Sequence, residues 1–265
     1  MILINTFKNI VSRQWSAYPL LLIYIGLAIS CNGEDVPACF RNEGNIVREE
    51  VLVDAFDRIT VFENLELILV PGVEQRVEIE TGEFLRKEVS AKVDDGRLLL
   101  RNNISCNFVR DYGLTKIYVT SPDLVEIRSS SGYPIRGEGT LAYTDILLIS
   151  ESFLDSESET TDGSFDLDLN SESVRIVVNG IAYFQLVGST DNLDITIAAG
   201  DSRIEAESLV VQNIALDHRG SNDIRINPQE SLTGVIRGVG DVISVNRPDS
   251  VDVEVLFRGQ LIFED

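Results

Sequence analysis

Val174-Arg-Ile-Val-Val178, Gly180-Ile-Ala-Tyr-Phe-Gln-Leu186, Leu193-Asp-Ile-Thr-Ile197 and Gly200-Asp-Ser-Arg-Ile-Glu-Ala206 follow one another, and this stretch decides the fold. Each segment alternates apolar and polar residues, so one side of each strand turns inward and the other meets water. Asp166, Asp168, Asp194, Asp252 and Glu254 fall on the wet side. The glycines recur outward from here at Gly163, Gly180, Gly200, Gly220, Gly240 and Gly259, spaced by 17, 20, 20, 20 and 19 residues. A unit of this length with two short strands cannot bury its own apolar face, whereas stacked units can, each pairing with the next through backbone hydrogen bonds. The expectation is an all-β, single-stranded β-helix or solenoid with rungs of about 20 residues, six or seven of which make a rod of roughly 30 Å. Glycine at the corners is expected to supply positive φ. The alternative for this period is chance spacing in a β-sandwich.

The N-terminal half of the body is β-rich but less regular. Strands are predicted over 58–62, 65–70, 76–80, 89–93, 97–100 and 116–120, separated by Pro71-Gly72, Asp95-Gly96 and Ser121-Pro122. Ser131-Gly132 and Ser152 are candidate degraded corners. No Pro/Gly/Ser linker splits the body, which reads as one domain over 49–265, irregular over 49–120 and repetitive over 121–265.

Several motifs together resemble the putative auto-transporter adhesin head GIN domain family. They are Phe56-Asp-Arg-Ile-Thr-Val61, Leu67-Ile-Leu-Val-Pro-Gly72, Val77-Glu-Ile-Glu-Thr-Gly82, Val93-Asp-Asp-Gly-Arg-Leu98 and Ile117-Tyr-Val-Thr-Ser-Pro-Asp-Leu124, continued by the glycine corners. The resemblance spans roughly 50–265 and implies a β-helical envelope or surface protein, in many members a lipoprotein. The family's Ser-Gly-Ser-Gly-Asp corner is eroded here, where Ile-Ala-Tyr follows Gly180 and Gln-Leu follows Gly259.

Residues 1–30 read as a signal peptide. Lys8 and Arg13 precede an apolar run from Tyr18 to Ile29, about a dozen residues and too short for a membrane span of roughly 20. Ser30 before Cys31 resembles the lipobox of bacterial lipoproteins, with Ala28 where leucine is usual, and implies that Cys31 is acylated and begins a tether over 31–48. The alternative is an ordinary signal peptide with a bystander thiol. Glu34 and Asp35 resemble a surface-export tag or, alternatively, are chance acids of a solvated tether; the expected location is the outer membrane, with the cell surface favoured over the periplasmic face. With Cys31 lipidated, Cys39 and Cys106 remain, and an oxidising compartment normally closes such a pair into a disulfide. One histidine, His218, adds too little for a zinc set.

The chain carries 43 acidic and 22 basic residues, a net charge of −21. That balance argues against nucleic acid and against docking on anionic lipid. The expected membrane contact is the lipid alone.

Candidates for chemistry are few, and no cofactor or metal is expected. His218 lacks a nucleophile motif around it. The run 155–162 gathers acids without calcium-loop spacing and otherwise reads as a solvated loop. Asp166 and Asp168 carry the i, i+2 spacing that alternation alone produces. Ser250, in Asp249-Ser250-Val251, matches a short O-glycosylation acceptor pattern or an ordinary turn. Tyr133, Tyr143, Tyr183 and Phe184 are candidates for a sugar-stacking patch. The expected function is a non-enzymatic, adhesin-like envelope lipoprotein binding glycan or protein. The alternatives are a polysaccharide-active β-helix enzyme and a purely structural envelope protein, a homotrimer among the arrangements open to it.

Overall fold

The computed structural model describes residues 41–62, 64–104, 115–153, 157–158 and 160–264. The body is all-β, as expected. One mixed sheet of 18 strands curls around a single apolar core that runs from Phe56 to Val242. The one helical turn among the described residues is a short 3-10 segment, Arg86–Glu88.

The strands assort into two rows. The first row runs β6 (Arg97–Asn102), β2 (Arg58–Val61), β8 (Glu126–Ser129) and β10 (Asp145–Ser150). It continues through the second halves of β11 (Ser164–Gly180), β12 (Tyr183–Gly200) and β13 (Arg203–His218), then β15 (Pro228–Ile236) and β17 (Ser250–Val255). The second row runs β7 (Lys116–Thr120), β3 (Glu66–Val70), β9 (Pro134–Leu141) and the first halves of β11, β12 and β13. It ends on β14 (Ile224–Ile226), β16 (Val242–Ser244) and β18 (Leu261–Phe263). Every pairing within these rows is parallel, and one strand from each row makes a coil.

From β11 onward the coils follow the sequence period. Val174 lies beside Leu193, Leu193 beside Ile214, Ile214 beside Leu232 and Leu232 beside Val251. Parity puts Phe165, Leu167, Leu169, Val174, Ile176 and Val178 of β11 inward, none more than 2% exposed. Each such side chain contributes about 1.5–3 kcal/mol of burial. Phe165 and Phe184 stack in register, centroids 4.6 Å apart and planes 6° from parallel.

Two expectations change. The alternating pattern predicts two short strands in each middle coil, but β11, β12 and β13 are 17, 18 and 16 residues long and pass unbroken through the second bend. Register shifts, such as the one between Gln185 and Val187, absorb the turn there. The corner glycines also serve a different purpose. Of the six, Gly200 alone has positive φ, at 97°. A Cβ on Gly259 would collide with Gly240's carbonyl, so close approach of stacked backbones excludes side chains there.

The N-terminal part departs from chain order. β2 is bonded to β6 on one side and β8 on the other, and β3 likewise lies between β7 and β9. The first coil of the chain is therefore the second in the stack. Beyond β6 and β7 the pairing turns antiparallel: β5 (Val89–Asp94) on β6, β4 (Arg76–Gly82) on β7, and β1 (Ile46–Val51) on β4. β1 begins inside the segment expected to be tether; its Ile-Val-Arg-Glu-Glu-Val sequence is mostly exposed and carries little apolar signal.

Candidate functional site

Cys31, Cys39 and Cys106 lie outside the described residues, as do 1–30, most of 31–48, and Asp155 and Glu159 of the acidic run. The described neighbours of two cysteines converge on one residue. Arg41 reaches the Glu88 carboxylate at 3.4 Å, and the Asn103 N–H donates to the Glu88 carbonyl at 3.0 Å.

The glycine corners form one column. Gly180 pairs in register with Gly200, the Ser221 N–H donates to the Gly200 carbonyl at 2.9 Å, and the Gly240 N–H donates to the Gly220 carbonyl at 3.2 Å. The column begins where a Cβ on Gly163 would strike Ser129. Ser129, Ser130, Ser131 and Ser150 are fully buried in that corner. The Ser131 hydroxyl donates to the Leu65 carbonyl at 3.0 Å. Beside them Arg128 bonds to the Glu151 carboxylate at 2.7 Å and to its carbonyl at 3.0 Å, while the second Glu151 oxygen accepts the Phe153 N–H at 2.7 Å. Arg128 and Glu151 are 5% and 3% exposed, so this ion pair lies inside the body, and its carboxylate holds the Phe153 N–H. Nothing in the sequence marks it, because Arg-Ser-Ser-Ser-Gly has the composition of a surface loop.

His218 ends β13 facing inward and fully buried. Among the described residues neither ring nitrogen has a partner at good hydrogen-bond geometry, although the backbone of Gly240 and Asn222 lies beside the ring. A Cβ on Gly240 would stand 2.8 Å from Nε2 and one on Gly220 3.0 Å from Cε1, so the ring fills space that the glycines leave. Burial pushes its pKa below the ordinary histidine range, against the smaller opposing pull of the backbone at Gly240 and Asn222 and of the Asp223 and Asp241 carboxylates. It is a buried core side chain.

The expected aromatic patch is not assembled. Phe184 is in the core, Tyr143 is 2% exposed with an unbonded hydroxyl, and Tyr183 donates to Glu205 at 2.5 Å. That bond pushes the Tyr183 phenol up to about 12 and holds Glu205 below the usual carboxylate range. Tyr143 lines a shallow recess of about 250 Å³ with Pro71, Pro122 and Leu141. Asp166 points outward into solvent, and Asp168 accepts the Thr140 hydroxyl at 2.8 Å. Of the acidic run, Glu157 pairs with Arg101, Ser158 is buried, and Asp162 lies against Gly132. Among the described residues no three His, Cys, Asp or Glu side chains stand together as a metal set.

The last coil differs from all the others. Among the described residues β17 pairs with β15 alone and β18 with β16 alone, and Ser250 opens β17 at the surface. Val251, Val255, Leu256, Phe257 and Ile262 are all at least 38% exposed. On β17 they alternate with Asp252 and Glu254, both exposed. By its sequence this strand is one more alternating repeat; its exposure follows from having a described strand on one side only.

Comparison with known proteins agrees with this architecture. A structure of a putative adhesin from Bacteroides fragilis NCTC 9343 superposes with a TM-score of 0.72 at 18% identity, over 84% of this chain and 99% of that one. A putative adhesin from Parabacteroides merdae ATCC 43184 gives 0.54 at 17% identity, over 84% and 98%. A putative lipid binding protein from Parabacteroides distasonis ATCC 8503 gives 0.56 at 13%, over 84% and 98%. At these identities the likeness is one of fold. No curated protein sequence matches the chain. The model of one family covers residues 55–248, and the chain belongs to that family, the putative auto-transporter adhesins with a head GIN domain.

Proposed function

We propose that this protein is a non-enzymatic surface lipoprotein that binds glycan or protein through a rod-shaped β-solenoid. The observation that carries the reading is membership of the adhesin-head family over 55–248, joined to a stack whose last coil lies at the end opposite Arg41. Nine strands in a row, at about 4.8 Å each, give a rod of roughly 40 Å. Attachment is by acylation of Cys31 at the outer membrane, so the far coils face outward. Convergence of Arg41 and Asn103 on Glu88 supports a disulfide between Cys39 and Cys106, which clamps the tether to the cap.

The test is binding of the full chain to arrayed glycans and envelope or host proteins, with product analysis alongside. Saturable binding without turnover is expected; reproducible release of sugar products would overturn the proposal. Mass spectrometry of the cell-derived protein reads the lipid on Cys31, and protease shaving of intact cells reads its orientation.

A further inference from the structure

We infer that the β17 edge captures an extended peptide strand in which apolar residues alternate with lysine or arginine. This rests on the adhesin-like reading above and names the partner chemistry of one part of the rod.

Backbone direction comes first. The Arg237 N–H donates to the His218 carbonyl at 2.7 Å, and the Leu256 N–H donates to the Ile236 carbonyl at 2.9 Å. Successive residues of a strand send their backbone groups to opposite sides, so residues 252 and 254 face β15. The N–H and C=O groups of Val251, Val253 and Val255 face away, with no strand beyond them among the described residues. They form a ready ladder for an added strand.

Side chains set what that strand must carry. In the register of the stack, Leu232, Gly234 and Ile236 lead to Val251, Val253 and Val255 on the inward side. Thr233 and Val235 lead to Asp252 and Glu254 on the outward side. An added strand therefore needs apolar side chains to cover the valines and positive ones beside the two carboxylates. The exposed Leu256 and Phe257 extend the apolar ledge past the strand.

The same charges reject a second copy of the chain. Antiparallel pairing of β17 with its twofold mate keeps inward residues opposite inward ones. Asp252 and Glu254 then confront the mate's Asp252 and Glu254 across or diagonally, and like charges in those positions repel. The chain's net charge of −21 adds to that repulsion and favours a basic partner.

The experiment is titration of the full chain with a short alternating lysine–valine peptide, its glutamate–valine counterpart, and a lysine–valine peptide N-methylated at every amide. The lysine–valine peptide is expected to bind saturably and the other two not to bind. The double variant D252N/E254Q is expected to bind about three- to tenfold more weakly, with an unchanged melting curve, because two cross-strand charge pairs are lost. Binding that survives N-methylation would overturn the inference, reducing the contact to diffuse charge attraction. Equal binding of the glutamate peptide, no binding at all, or sedimentation as a dimer abolished by V253P would also overturn it. If the chain adheres to arrayed ligands but ignores the lysine–valine peptide, this inference falls and the adhesin reading stands. Peptide capture without any array binding keeps the edge as a peptide site and removes the wider adhesin reading.

Discussion

The two ends of the stack are finished in different ways. At the N-terminal end the coils leave chain order, the outermost parallel strands β6 and β7 are covered by antiparallel β5 and β4, and β1 adds a further strand. At the other end β17 and β18 have a strand on one side only among the described residues, and Val251, Val255, Leu256 and Phe257 are exposed there. Between them, coil follows coil with one register rule. A repeating sequence specifies how a coil meets its neighbour, but it carries no instruction for ending the series. Closing an end takes non-repeating strands running the opposite way.

The sharpest way to break the regular part is at its corner column. Gly200 has φ of 97° and no room for a Cβ beneath Gly180's carbonyl. Gly200→Val should cost about 4 kcal/mol or more and melt the C-terminal coils first, read by hydrogen exchange. The cap is probed through its thiols. On the disulfide proposed between Cys39 and Cys106, Cys106→Ser should cost up to about 4 kcal/mol on loop entropy, and reductant should lower the melting temperature of the parent but not of the variant. At the junction of the two regions, Arg128→Met removes the guanidinium that bonds the buried Glu151 carboxylate and should cost about 3 kcal/mol in a denaturant melt; Arg128→Met with Glu151→Leu should recover most of it. Gly139 is the control for Gly200. Its φ is also 97°, but its nearest obstacle is Pro71 Cγ at 3.7 Å, so Gly139→Ala should cost only about 1–2 kcal/mol.

The smallest effect expected is on pH dependence. Burial holds the pKa of His218 in the folded chain below its ordinary value of 6.5. Above that value it adds no pH dependence. Below it the unfolded chain takes up a proton that the folded chain refuses, and stability falls as pH drops. Glu78 and Glu205, held low chiefly by hydrogen bonds from Arg48 and Tyr183, add losses only below their ordinary 4.5. His218→Leu should flatten the thermal stability profile between those two values and leave the more acidic limb in place.

Much of the fold is legible from residues such as Leu193-Asp-Ile-Thr-Ile197, because strand parity is written in the local pattern. The glycine period is legible too, although its cause is not. Sequence cannot distinguish a glycine needed for its φ from one needed because another backbone passes above it, and five of the six corners lack positive φ. The position of β2 between β6 and β8 is invisible, since 58–61 reads as a strand whichever partners it takes. The Arg128–Glu151 pair is hidden for a related reason: burial of a charged residue depends on what stacks over it. Of the functional residues, the β17 valines and acids read as a strand, but their exposure follows from position in the stack and not from composition.

The sandwiched coil of β2 and β3 has a consequence for how the chain acquires its structure. A molecule delivered from its N-terminus presents 58–70 first, with both flanks empty. Its neighbours on one side come from 97–102 and 116–120 and on the other from 126–141, so in chain order this coil would be extended in two directions. Later coils then add on one side alone. Amide protons of Ile59 and Leu67 should be among the slowest to exchange, and the rod should open last at the coil it built first.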